Sequence, residues 1–207
     1  RSSAASDVYK RQIYIVDHFH IVKLFTEAIQ TVRVRIMKNQ NKNTFAYKFL
    51  KKNWKLFLMN KYDLDKLTYT NERTGVVYNY TDKVNIVLKE YPELSEVYLA
   101  KDLFCNKMLK LHEREETENS IDFFINNFSK STSIELNNIA KTFSNWKEEI
   151  INAYSKNSFG IVLTNAIAES NNNYIQKMIN IGYGYSNFPR LRKRILYMSS
   201  NRKRGSD

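Results

Sequence analysis

The chain is poor in helix-breaking residues and in cysteine. Its 207 residues include 5 Gly, 2 Pro and 1 Cys. So few breakers favour long helices over a many-stranded barrel. The lone Cys105 excludes an internal disulfide and fits a reducing cytosol.

Long apolar runs and several common motifs are also missing. No run of about 18 apolar residues occurs, so the sequence predicts no helix that spans a bilayer. The patterns GxGxxG and GxSxG and the P-loop pattern are absent as well. The chain therefore has no sequence signature of dinucleotide binding, P-loop phosphate binding or a nucleophile elbow.

Positive charge and aromatic residues are abundant instead. The net charge is +12, and 43% of the residues are hydrophobic, including 14 Tyr and 12 Phe. This composition predicts a folded chain with one core, or a core with an inserted subdomain. The charge indicates a polyanionic partner, most commonly nucleic acid. A membrane surface is the alternative, but no strongly hydrophobic amphipathic helix accompanies the basic runs.

The first twelve residues, RSSAASDVYKRQ, differ in character from the rest of the chain. They resemble the translation of a sequencing-library adaptor, so we expect the natural sequence to begin near Ile13. A signal peptide is the competing interpretation, but no apolar segment of adequate length precedes Asp17. We therefore expect a protein that is truncated at its N-terminus.

A short β-rich run, Ile13 to Val16, precedes Asp17. It predicts a buried strand with a carboxylate at its C-terminal end, where open α/β sheets place their ligands. Asp17 is therefore a candidate metal ligand. It is equally a candidate N-cap for the helix predicted from His18 to about Met37, and the two roles are compatible.

Two other groups of polar residues are weaker metal candidates. His18 and His20 invite a zinc interpretation, but they lack further ligands at the right spacing, so His20 is assigned a packing or hydrogen-bonding role. An acidic cluster has no strand or phosphate loop beside it and predicts a solvated helix start. Its members are Glu113, Glu115, Glu116 and Glu118.

The middle of the chain divides into two parts. Residues 39–60 mix lysines with aromatics, which suits a nucleic-acid surface, although inward aromatics with solvated lysines explain the pattern equally well. Residues 61–160 predict mostly helices, with turns around Asn71–Gly75 and Asn127–Ser133.

The stretch from Thr164 to Arg194 places one carboxylate among amides and cations. If Thr164 caps a helix, five polar residues share one face, namely Glu169, Asn172, Asn173, Gln176 and Lys177. The other face is predicted to be core, with Ile167, Tyr174, Met178 and Ile181. A tight turn at Gly182–Tyr185 and a basic tail come next. The polar face suits a metal carboxylate and a DNA backbone; a face that meets only water is the alternative.

Four segments together resemble a known family. They are IYIVDHFHIVKLFTEAIQTVR, YPELSEVYLAKDLF, IELNNIAKTFSNWKEEIINAY and TNAIAESNNNYIQKMINIGYGYSNFPRLRKRIL. In this order, from about Ile13 to Tyr197, they resemble the ISL-three family of bacterial insertion-sequence transposases. That family belongs to the DDE class and has a ribonuclease-H-like catalytic core.

The resemblance implies a two-metal active site. Asp17 corresponds to the second catalytic aspartate and Glu169 to the catalytic glutamate, and with a third carboxylate they would hold two Mg²⁺ (or Mn²⁺) ions. The family's first aspartate lies upstream of this block, as do its zinc-binding and helix-turn-helix regions. We therefore expect a C-terminal fragment that is inactive alone. Ser170 stands where many members have glycine.

The resemblance also implies DNA partners, both the transposon terminal repeats and the target. The predicted DNA-binding residues are Asn172, Asn173, Gln176, Lys177, Arg190, Arg192, Lys193 and Arg194. The basic members would bind the phosphates of the DNA backbone, which adds affinity without base-sequence specificity. A homo-oligomer on DNA is expected, with no membrane association, in the bacterial cytoplasm at the nucleoid.

The fold expected from these observations is α/β and predominantly helical, with a partial ribonuclease-H-like core interrupted by an all-α insertion. Residues 13–38 supply a core strand and helix, 39–160 the insertion, 161–200 a core helix and basic element, and 201–207 a basic tail. The alternative is a non-catalytic basic helical nucleic-acid-binding module, or a decayed transposase remnant. Under the transposase hypothesis Asp17 and Glu169 must reach one metal site.

Overall fold

The computed structural model describes residues 13–108, 113–157, 160–181 and 187–204. The chain divides after Leu163 into two compact units. The segment 1–12 and the predicted turn at Gly182–Tyr185 lie outside the described residues.

The first unit is built mainly from helices. In chain order its elements are α1 (His18–Lys38), α2 (Phe45–Lys52), a 3₁₀ helix (Trp54–Leu58), α3 (Lys61–Asp65), β1 (Thr68–Thr70), β2 (Val77–Asn79), α4 (Tyr80–Glu90), α5 (Pro92–Met108), α6 (Arg114–Phe128), α7 (Ile134–Asn145) and α8 (Lys147–Tyr154). Side-chain caps fix several of the helix starts. Thr44, Asn79 and Ser133 each accept a hydrogen bond from a backbone N–H in the first turn of the helix they precede.

Aromatic rings fill the centre of this unit, where α1 packs along α5 and α6 packs against α7 and α8. The Phe104 ring lies 4.9 Å from Phe25, 5.2 Å from Phe124 and 5.5 Å from Phe143, measured between centroids. All four side chains are fully buried. Large buried rings in mutual contact supply much of the driving force for folding. Helix α1 thus shares its core with helices of the predicted insertion.

A β-hairpin interrupts the helices of the first unit. Strands β1 and β2 pair antiparallel, with Tyr69 opposite Tyr78. The loop between them contains the predicted turn, in which the Gly75 N–H donates to Asn71 O at 2.8 Å and Gly75 has a φ of 66°. The prediction of an all-α insertion is therefore wrong at this point. Thr, Tyr and Val around a glycine-containing turn favour a hairpin over a helix.

The predicted strand at Ile13–Val16 is also wrong, since these residues form an irregular segment. Ile13 is 57% exposed and Tyr14 is 62% exposed. The segment bonds to α8 instead, with the Val16 N–H donating to Glu149 O at 3.2 Å. A β-rich run needs a neighbouring strand, and the hairpin is the only sheet among the described residues. The predominantly helical prediction is confirmed, whereas the ribonuclease-H-like core stays a prediction.

The second unit is a pair of contacting helices, α9 (Ala166–Ile181) and α10 (Phe188–Arg204). Helix α10 starts where Asn187 Oδ1 accepts from the Arg190 N–H at 3.2 Å. On α9, Met178 is buried and Tyr174 half-buried, as predicted, but Ile181 is exposed, contrary to the prediction. Ile181 is the last residue of α9, and at a helix end the apolar periodicity of the sequence does not imply that a side chain is buried.

None of the helices in the described part of the chain combines the length and the apolar character needed to cross a membrane.

Candidate functional site

Asp17 lies at the start of α1 and caps it. Its Oδ1 accepts a hydrogen bond from the Phe19 N–H at 2.8 Å, and its backbone carbonyl accepts from the His20 and Ile21 N–H groups. The predicted N-cap role is thus confirmed. The cap bond holds one carboxylate oxygen in a fixed direction, and a carboxylate has a second oxygen with free lone pairs. Capping leaves metal binding by Asp17 chemically possible.

The two neighbouring histidines have different surroundings. His18 Nε2 lies 2.7 Å from Ala153 O, and its ring stacks on Tyr154 with centroids 4.0 Å apart. Burial raises the pKa of Tyr154, so this phenol stays protonated at alkaline pH values where an exposed tyrosine ionises. His20 is exposed and has its ring 5.8 Å from that of Phe19. The histidine that connects α1 to α8 is therefore His18. The packing or hydrogen-bonding role was predicted for His20, whose ring contact is with its neighbour Phe19.

Glu169 lies in the first turn of α9 and is exposed. With Asn173 and Lys177 it forms a row at four-residue steps that borders an open cavity of about 410 Å³, also lined by Ser170 and Tyr174. These residues share one side of the helix, as the predicted periodicity requires. A carboxylate in the first helical turn is favoured by the helix dipole. The row combines hard oxygen donors with one cation.

The other predicted DNA-binding residues are all exposed. Asn172 and Gln176 lie on α9, where Gln176 Nε2 donates to Asn180 Oδ1 at 3.2 Å. On α10 the exposed cations are Arg190, Arg192, Lys193 and Arg194. At about 100° per residue, Arg190, Lys193 and Arg194 share one side of the helix, and Arg192 lies on another side. Contact between these residues and DNA stays a prediction.

The acidic cluster at the start of α6 lies at the surface, as predicted. Glu113 pairs with Lys156 at 3.0 Å, and Glu118 lies 3.6 Å from Lys147. Glu115 and Glu116 are exposed in the first turn, where negative side chains are favoured by the dipole. These groups therefore belong to a solvated helix start.

One buried cation was missed by the sequence analysis. Lys101 is 1% exposed, and its Nζ donates to Leu58 O at 3.0 Å and to Met59 O. Burial lowers the pKa of Lys101. Lys101 lies three residues beyond Tyr98 and three before Phe104, both buried, so the apolar periodicity of α5 contained the signal. A lysine on a core-facing stripe predicts an internal anchor.

The donor chemistry at Asp17 and Glu169 suits magnesium, which prefers carboxylate oxygens. Each residue keeps a carboxylate accessible to some degree, since Asp17 is half-buried and Glu169 exposed. Among the described residues, no three His, Cys, Asp or Glu side chains cluster as a metal site. Asp17 belongs to the first compact unit and Glu169 to the second, so their meeting at one metal site stays a prediction.

Comparison with known proteins adds the family. A family model described as a transposase, that of the ISL-three DDE transposases, matches residues 2–195. The matched range includes most of the segment predicted to derive from an adaptor, and the origin of that segment stays a prediction. No curated protein and no solved structure matches the chain. Because the match covers nearly the whole sequence, the chain belongs to the ISL-three family of DDE transposases.

Proposed function

We propose that this chain contributes the second aspartate and the glutamate of a DDE active site, and that the transposase cleaves and joins DNA at the ends of an insertion sequence. The observation that carries the proposal is the family match over residues 2–195. The resemblance of their segments to the family supports assigning Asp17 and Glu169 to two of its three catalytic carboxylates. The net charge of +12 supports a polyanionic substrate.

The roles of the individual residues follow from their chemistry. Asp17 and Glu169 would hold the divalent metal, Mg²⁺ or Mn²⁺. When bound there, two such ions would activate a water or 3′-hydroxyl and would stabilise the leaving oxygen at the scissile phosphate. The bond from the Phe19 N–H orients the Asp17 carboxylate before any ligand arrives. Fixed ligands reduce the reorganisation that metal and substrate binding require.

Asn173 and Lys177, which lie in a row with Glu169 on α9, would position the DNA substrate at the Glu169 carboxylate. Lys177 lies two helical turns beyond Glu169 on the same side, where its ammonium group can contact a DNA phosphate. Asn173, between them, can donate from its amide to a phosphate or orient the carboxylate. The cations of α10, from Arg190 to Arg194, would add affinity along the DNA backbone. Oligomerisation on DNA is implied by the resemblance alone.

The test is Mg²⁺-dependent cleavage of the element's ends by Asp17→Asn and Glu169→Gln variants. They are made in the transposase expressed from the reading frame that contains this sequence. Asparagine caps helices about as well as aspartate, so Asp17→Asn should remove the charge and keep the fold. We expect cleavage at background level and DNA binding close to wild type.

Two exposed carboxylates provide the matched controls, Asp63→Asn and Glu116→Gln, which should both cleave normally. Wild-type cleavage by Asp17→Asn or Glu169→Gln would refute the assignment. Cleavage would then depend on other residues. Unsubstituted protein that binds DNA and does not cleave it would instead favour a non-catalytic DNA-binding module or a decayed remnant. Loss of DNA binding together with cleavage would show a structural defect, which circular dichroism of the variant checks.

A further inference from the structure

Five lysines and no acidic residue lie between positions 39 and 60, namely Lys42, Lys48, Lys51, Lys52 and Lys55. All five are exposed. None of them belongs to an ion pair within the described part of the chain. Five other cations do have a carboxylate partner, namely Lys23, Arg35, Arg114, Lys147 and Lys156. This segment thus carries a concentrated positive charge that no carboxylate of the described residues neutralises by an ion pair.

Three of these lysines share the solvent side of α2 and are called the lysine face: Lys48, Lys51 and Lys52. The opposite side of α2 is buried through Phe49 and Leu50. Residues three and four apart on a helix are neighbours, and like charges at that spacing destabilise the helix by about 0.2–0.5 kcal/mol per pair. The lysine face therefore works against the stability of α2, which favours a role in binding.

Capping of the helix C-terminus explains the lysine face only in part. Lys51 and Lys52 lie in the last turn, where cations are favoured, but Lys48 lies outside it. The last turn already has internal donors. Arg33 Nη1 donates to Leu50 O at 2.8 Å, and the Asn53 N–H donates to Phe49 O at 2.8 Å. The surface lysines are not needed to satisfy those carbonyls.

The segment that carries these lysines is fixed in place by two internal cations. Arg33 of α1 holds the end of α2, and burial lowers the pKa of Arg33. Lys101 of α5 holds the carbonyls of Leu58 and Met59 at the end of the 3₁₀ helix. A charged surface on an anchored backbone loses little conformational entropy when a partner binds. Phe45, which is 55% exposed, lies on the same side of α2 as Lys48 and Lys52.

We propose that the lysine face binds the phosphate backbone of duplex DNA and gives the first compact unit a DNA-binding surface of its own. The choice of DNA as the partner rests on the proposed function. Lysine ammonium groups contact phosphates as point charges, so this surface adds affinity without reading sequence. It is distinct in its residues from the predicted contacts on α9 and α10.

The experiment compares two triple variants of the full chain, Lys48→Gln/Lys51→Gln/Lys52→Gln and the matched control Lys89→Gln/Lys130→Gln/Lys141→Gln. The control lysines are also exposed, and their substitution removes the same net charge. Affinity for a random-sequence DNA duplex is measured by fluorescence anisotropy over a range of salt concentrations. Losing three phosphate contacts should reduce the slope of log affinity against log salt by about 2–3. The control should change that slope by less than about 1.

The lysine-face variant and its control are then compared in a chain that also carries glutamine in place of the four cations of α10, Arg190, Arg192, Lys193 and Arg194. DNA binding that persists there and disappears with the lysine-face triple supports an independent surface. Equal slopes for the lysine-face triple and its control overturn the proposal. A triple that loses binding to phosphatidylserine vesicles while DNA binding is unchanged also overturns it, in favour of a membrane surface.

This result is separable from the test of catalysis. Asp17→Asn and Glu169→Gln should bind the duplex with the wild-type salt slope. The lysine-face triple should melt at the same temperature as its control or slightly above it, because all substituted side chains are exposed and the repulsion within the lysine face is removed. Loss of catalysis therefore leaves the lysine-face result unchanged, and a failed lysine-face result leaves the carboxylate assignment standing.

Discussion

The first compact unit buries a cluster of phenylalanine rings around Phe104, whereas Met178 is the one apolar side chain described as buried in the second. In the second unit Ile181, Phe188, Leu196 and Tyr197 are exposed apolar residues. A pair of helices with so little burial is marginal by itself. The first unit has the core of a self-supporting domain, and the second has little core among its described side chains.

The predicted functional residues are distributed unevenly between these two units. Most of the predicted functional residues, including Glu169 and all the predicted DNA-binding residues, belong to the unit with little core. Regions with few buried apolar contacts open and rearrange most readily, and binding elements are drawn from them. Asp17 belongs to the unit with the large core, where its cap bond fixes it. The two candidate metal ligands thus lie in units that differ in the amount of described core.

The sharpest test of this contrast is one substitution made in both units, Phe104→Ala and Phe188→Ala. Phe104 is fully buried among rings of α1, α6 and α7, so its truncation should lower the free energy of unfolding by about 3–5 kcal/mol. Phe188 is 69% exposed, and its truncation should change that free energy by less than about 0.5 kcal/mol. Urea denaturation followed by circular dichroism measures both. Similar losses for the two variants would contradict the contrast between the units.

A smaller effect separates the two carboxylates. Asp17→Ala removes the side-chain cap of α1 and should cost about 1 kcal/mol, whereas Asp17→Asn should restore most of it. Glu169→Ala removes an exposed side chain and should stay within about 0.5 kcal/mol of wild type. The same denaturation experiment gives all three values. If Asp17→Ala were as stable as wild type, the cap would contribute nothing, and a main support for Asp17 would be lost.

Local patterns predicted much of the structure. The helical spacing of apolar residues predicted the helix from His18 to about Met37, which the structure gives as His18–Lys38, and Asp17 at its start was a correct N-cap candidate. The turn at Asn71–Gly75 was also predicted correctly. These features depend on residues close in sequence, so local sequence carries the information. Family membership was recognisable for the same reason, from motifs within short blocks.

Features that depend on distant partners were predicted less well. Ile13–Val16 has strand composition, but a strand also needs a neighbour, and the described structure supplies α8 instead. The partner of His18 is Ala153, far along the chain, and nothing local indicates that contact. Lys101 was detectable from the periodicity of α5, yet its carbonyl partners at Leu58 and Met59 were not. Whether Asp17 meets Glu169 is a question of the same long-range kind.

The most direct test of the central claim is a crystal structure of the whole transposase bound to its terminal-repeat DNA and Mn²⁺, with the ions located by anomalous scattering. We expect carboxylate oxygens of Asp17 and Glu169 to ligate the same metal centre. Ions bound elsewhere, with either carboxylate out of reach of the metal centre, would contradict it.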